Sequence, residues 1–139
     1  MKKIIYRTEN GVSIITPSPW SQLSIEEVAK KDVPSGLEYS IIDSSLVPHD
    51  RTFREAWEYS ENAVIINPDK AKAIWKDKWR EARKPLLASL DIEFMKAVEA
   101  GDSAKQAEIA AKKQELRDVT QTDISGNSPE EIKAVWLLS

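Results

Sequence analysis

His49 is the one histidine in a chain that has no cysteine, so any chemistry that needs an imidazole has a single place to sit. It lies between Pro48 and Asp50 in a polar stretch. A Ser/His/Asp relay would have to be built on it. As a metal ligand it would stand alone, whereas tetrahedral sites draw on several His or Cys side chains. It reads as a solvated loop residue. The carboxylates do not have the spacing of a calcium loop, in which acidic residues surround a central glycine. The pairs Glu26/Glu27 and Glu130/Glu131 follow Ser24 and Ser128 at the spacing of a capping box, where a serine hydroxyl serves an amide at the helix start and a glutamate reaches back. The four glycines, at 11, 36, 101 and 126, are too scattered to cradle a phosphate. No catalytic, cofactor or metal site is expected, and the chain reads as a non-enzyme.

Five tryptophans are the unusual feature. Trp75 and Trp79 stand one helical turn apart on one face, with Trp20, Trp57 and Trp136 elsewhere. They can fill a core between helices and sheet, or some can form an exposed anchor, because Trp and Arg dominate interface hot spots. The candidate protein-binding residues are Trp75, Trp79, their neighbours Arg80 and Arg83, and the apolar end residues Trp136, Leu137 and Leu138. Arg80 and Arg83 can equally be a solvated flank partnered by Asp77 and Glu81. In the cluster from Asp50 to Arg54, a buried Asp50–arginine pair bracing a loop is expected rather than a ligand site.

The elements that would position these residues give an α+β fold: a small N-terminal antiparallel sheet with short helices, then a C-terminal antiparallel α-helical hairpin. Ile4 to Arg7 and Val12 to Thr16 flank Asn10-Gly11, a turn pair that tolerates positive φ. Ser24 caps a short helix to about Lys31. Leu37 to Ile42 reads as a third strand, with Leu37, Tyr39 and Ile41 on one face. Thr52-Phe53-Arg54-Glu55 has capping-box spacing and predicts a short helix holding Ala56 and Trp57. Ala63 to Ile66 is a fourth strand or the apolar lead-in to a long helix. Asn67-Pro68-Asp69 starts that helix. Its apolar residues recur at Ala71, Trp75, Trp79, Ala82 and Leu86, the helical period. Pro85 predicts a kink or break near Ala82, and Asp91 a fresh cap. Gly101 and Asp102 separate this segment from a second helix ending near Val119, and so short a link makes the pair antiparallel. Pro129 opens a last short helix containing Val135 and Trp136. The regions are 1–67, 68–120 and 121–139, expected to form one compact unit.

Composition narrows the partners. The 139 residues are 31% charged and 41% hydrophobic, the profile of an ordinary globular domain. Seven basic and ten acidic side chains fall in residues 1–67, against twelve and ten, interleaved, in 68–118. No one-sided basic stripe appears, so nucleic acid is not expected as a partner. No apolar run approaches the roughly 20 residues that cross a bilayer. A signal peptide is not expected either, because charge returns at Arg7.

The pattern Arg80-x-x-Arg83-x-x-Leu86-Leu87-Ala88-x-x-Asp91, followed by Lys113-Gln114-x-Leu116-Arg117-Asp118, resembles the C-terminal region of tail assembly chaperones, or tail-fibre assembly proteins, of tailed bacteriophages and prophages. Ile92 follows Asp91 where that family usually has tryptophan. The segments from Pro48 to Trp57 and from Pro129 to Trp136 also resemble small prophage-encoded proteins. The resemblance implies a binding protein acting in the host bacterial cytoplasm on a phage tail or fibre protein, and the chain could also pair with copies of itself. A minor virion component and a phage-encoded binder of a host factor are the alternatives.

Overall fold

The computed structural model describes residues 1–138; Ser139, the last position of the expected C-terminal region, lies outside the described residues. The elements run β1 (Lys2–Thr8), β2 (Gly11–Ile15), α1 (Ile25–Asp32), β3 (Tyr39–Asp43), β4 (Trp57–Tyr59), β5 (Val64–Ile66), α2 (Pro68–Glu99), α3 (Ser103–Asp118) and α4 (Pro129–Ala134). The fold is α+β, with its strands in the N-terminal half and its long helices after them. Two compact units divide it, Met1–Ala71 and Lys72–Ser139, where one was expected. The region from residue 121 onward belongs with the helical hairpin.

In the first unit β1 is central, in the order β2-β1-β3, and both of its pairings are antiparallel. Successive side chains of a strand face opposite ways, and here both faces are covered. Ile5 joins Val12, Ile42, Val47, Trp57, Tyr59 and Val64 in one core. Ile4 joins Val28, Ala29 and Val33 from α1 and the residue after it in the other. The α1 cap forms as its spacing predicts: the Glu27 amide donates to Ser24 Oγ at 3.2 Å, and that hydroxyl donates to the Glu27 carboxylate. Gly11 closes the β1–β2 turn at φ +139°, and a Cβ there would stand 2.5 Å from the Trp57 carbonyl oxygen. Only glycine lets the turn approach β4 so closely.

Three N-terminal expectations are corrected. The third strand begins at Tyr39, because the Leu37 amide still closes the Pro34 turn, at 3.3 Å to its carbonyl. Leu37 and Tyr39 are consequently exposed, and Ile42 is the buried residue of that strand. Thr52 caps no helix: its amide and hydroxyl both donate to Asp50, and a 3-10 turn, Arg54–Ala56, replaces the expected helix. Trp57 therefore enters β4, paired with Ile66 of β5. Asp50 is exposed rather than buried. The loop is braced instead by Arg54, which donates to the Val12 carbonyl at 2.9 Å and lies 4.7 Å over the Trp57 ring.

In the second unit α2 runs unbroken through Pro85. The proline removes one amide from the ladder, on an exposed side of the helix, and of the expected kink or break the break does not occur. Asp91 is accordingly mid-helix and caps nothing; it pairs with Lys113 of α3. Gly101 ends α2 in the left-handed region at φ +68°, while the Asp102 amide returns to the Ala97 carbonyl at 3.0 Å and the Gly101 amide to Val98 at 3.1 Å. This is a Schellman end. Asp102 then caps α3 through the Lys105 amide at 3.0 Å. The cross-links run in opposite senses along the two helices: Gln106 to the Ala97 carbonyl, Lys113 to Asp91, and Arg83 to the carbonyls of Leu116 and Arg117. The helical hairpin is antiparallel.

Candidate functional site

Ser128 sets up the C-terminal segment. Its hydroxyl accepts from the Glu131 amide at 3.1 Å, Pro129 takes the first turn, and Ile132 is buried. α4 stops at Ala134, two residues sooner than the sequence suggests, and the Val135 amide closes it onto Ile132. Val135 and Trp136 are thus outside the helix, in an extended tail.

That tail is clamped by α2. The Trp75 indole N–H donates to the Val135 carbonyl at 2.7 Å, and the rings of Trp75 and Trp136 meet edge to face at 5.4 Å. Leu138 is buried, while Trp136 and Leu137 are 43% and 45% exposed. Leu137 borders a cleft of about 530 Å³ lined by Leu86, Leu90, Leu116 and Val119, with Lys112 and Glu115 beside them.

The seven candidate residues thus separate. Trp136 and Leu137 present apolar surface to solvent. Trp75 holds the tail from the side and is half-buried. Trp79 is fully buried and cannot touch a partner of the folded chain. Leu138 is also buried, since its side chain docks inward while its neighbour points out. Arg83 donates to the carbonyls of Leu116 at 3.2 Å and Arg117 at 3.0 Å, a cation on the negative end of α3. Arg80 pairs with Asp77 on the solvated flank. The two arginines are hairpin and surface residues, not parts of one recognition patch.

No protein-family model, curated protein or solved structure matches this chain.

The electrostatics beside the cleft are local. Glu108 bonds Lys112, and that contact, with the charge of Lys105 next, holds its carboxyl below the usual glutamate range. Among the described residues no three His, Cys, Asp or Glu side chains cluster as a metal site, and no helix is long and apolar enough to cross a membrane. His49 is exposed in its loop, as its polar neighbours suggest.

Sequence reasoning missed two features. Leu90 continues the Leu86 spacing by one turn, so the apolar stripe of α2 also supplies a cleft wall. Trp20 is 89% exposed in a turn where its amide donates to Ser18 Oγ and the Ser21 amide to the Ser18 carbonyl. The Pro-Ser-Pro stretch before it was the available signal: a proline-rich loop has no apolar face on which to bury an indole.

Proposed function

We propose that the chain is a non-enzymatic binding protein that escorts a tail or tail-fibre subunit of a tailed bacteriophage during assembly. The observation that carries the reading is the solvent-facing pair Trp136–Leu137, of which Leu137 borders the Leu86/Leu90/Leu116/Val119 cleft. An indole already held against Trp75 loses little freedom when a partner covers it, so more of its burial appears as affinity. Leucine walls flanked by Lys112 and Glu115 suit an apolar segment with polar edges. The resemblance of the Arg80–Asp91 and Lys113–Asp118 segments to tail assembly proteins supports the phage assignment. Arg83, Asp91 and Lys113 of those segments bond the hairpin together in this chain.

The test is co-expression with tail and fibre subunits of the same phage, reading subunit solubility and co-elution. Point changes are needed, because Ile132 and Leu138 are buried and truncating the segment would open the core. The wild-type chain is expected to keep one subunit soluble, and Trp136→Ser with Leu137→Ser to abolish this while the chain stays folded. Subunit solubility that does not respond to the chain refutes the escort role. Stoichiometric chain in purified particles would make it a virion component instead.

A further inference from the structure

Beyond the tail and cleft, the first unit holds a second cavity of unlike chemistry. It lies at the end of the core built on Ile5. Lys3 sits two residues before Ile5 on β1, hence on the same face of the sheet. Ile14, paired with Ile5 across β1–β2, and Val47 form apolar wall. The loop after β3 closes one side, held by the Ser44 amide on the Met1 carbonyl at 2.8 Å and the Val47 amide on the Ser44 carbonyl at 3.1 Å.

Three cationic or imidazole side chains line this space of about 440 Å³, namely Lys3, His49 and Arg51, together with the hydroxyl residues Thr16 and Ser44. Among the described residues no acidic side chain lines it. Of the carboxylates nearest in sequence, Asp43 accepts from the Ser45 amide and Asp50 from the Thr52 amide and hydroxyl. Such a concentration of donors is unlike the rest of this acidic chain, whose net charge is −3. Arg51 is also placed in advance, its guanidinium lying 5.6 Å from the centroid of the buried Trp57 ring. A guanidinium held over an indole keeps a planar fork that can bind phosphate oxygens in pairs.

We propose that this cavity binds a small phosphate monoester with a compact apolar body. A dianionic tetrahedral group offers separate oxygens to Arg51, Lys3 and His49. A volume in the ordinary range for small-molecule sites leaves room for a body against Ile14 and Val47. This ligand site is independent of the Trp136–Leu137 surface and belongs to the other compact unit.

The full chain is titrated with phenyl phosphate, with inorganic phosphate and benzoate as controls, reading the amide resonances of residues 44–51. Phenyl phosphate is expected to saturate with Kd of about 0.1–1 mM, at least about tenfold tighter than either control. Arg51→Met and Lys3→Met should each weaken it by about tenfold, equal to about 1.4 kcal/mol. Arg51 also contacts Trp57, so His49→Gln, at an exposed position, serves as the variant that leaves packing untouched; a severalfold loss is expected. Absence of saturation up to about 10 mM, controls binding as tightly as phenyl phosphate, or unchanged affinity in all three variants overturns the proposal.

Discussion

Trp75 and Trp79 are one turn apart on the same helix, yet their indole nitrogens have opposite circumstances, and phenylalanine substitutions should read this out. The Trp79 ring is 0% exposed and its N–H has no acceptor among the described residues, whereas the Trp75 N–H donates to Val135 at 2.7 Å. Trp79→Ala deletes a large buried ring and is expected to cost about 3–5 kcal/mol. With a typical urea dependence, that lowers the midpoint by about 2 M. Trp79→Phe instead keeps most of the apolar contact and removes an uncompensated donor, whose burial costs about 1–3 kcal/mol. The smaller ring leaves a void worth about 1 kcal/mol, so stability should stay near or above wild type. Trp75→Phe loses a satisfied hydrogen bond and should cost about 0.5–1.5 kcal/mol. Urea unfolding followed by far-ultraviolet circular dichroism, with the slope checked for constancy, measures all three. The reasoning is refuted if Trp79→Ala costs under about 1 kcal/mol, or if Trp79→Phe is the more damaging of the two phenylalanine variants.

Arg83→Ala should cost about 1.5–3 kcal/mol, the range for charged hydrogen bonds, since it strips two carbonyls at the end of α3; Arg83→Lys should recover part of it in the same assay. Gly11→Ala forces both a positive φ and a Cβ against the Trp57 carbonyl, so a loss of at least about 2 kcal/mol is expected in thermal melts, beyond the ordinary Gly-to-Ala change. The Asp43 carboxyl is held below the usual aspartate range, first by the Ser45 amide and then by the Ser45 side chain. A depressed folded value means that its contribution is present above about pH 4, the unfolded value, and fades as pH falls through the lower folded one. Side-chain carboxyl shifts through an acid titration should therefore give Asp43 a midpoint below that of a model peptide, and Ser45→Pro, which removes the donor amide, should raise it.

Much of the helical half was legible because its signals are local. Asn67-Pro68 at one end, Gly101-Asp102 in the middle and Ser128-Pro129 near the other end specify helix boundaries through a few neighbouring atoms. The observed α2 starts and stops, and α3 and α4 start, where those residues place them. The β1–β2 hairpin was legible from Glu9-Asn10-Gly11, but its register was not: Gly11 pairs with Thr8, so Glu9 and Asn10 make the turn. The segment from Thr52 to Trp57 was misread, since a capping-box spacing also fits a loop in which Asp50 takes the threonine hydroxyl. What decides there is distant in sequence: Ile66 pairs with Trp57, and the Val12 carbonyl holds Arg54.

The tryptophan face shows the same division. Helical spacing determined that Trp75 and Trp79 share a face, because the α-helical period depends on the backbone alone. Which ring is sealed, which bonds the tail and which of Trp136, Leu137 and Leu138 stays in solvent was decided by tertiary packing. The cation-lined cavity is likewise absent from any local pattern, for Lys3 lies more than forty residues from His49 and Arg51. Sheet pairing and the backbone bond from Ser44 to Met1 bring them to one place. Sequence carried the contacts made within a turn or two of helix; contacts that close long loops depend on the summed burial of the whole unit, and only the folded chain evaluates that sum.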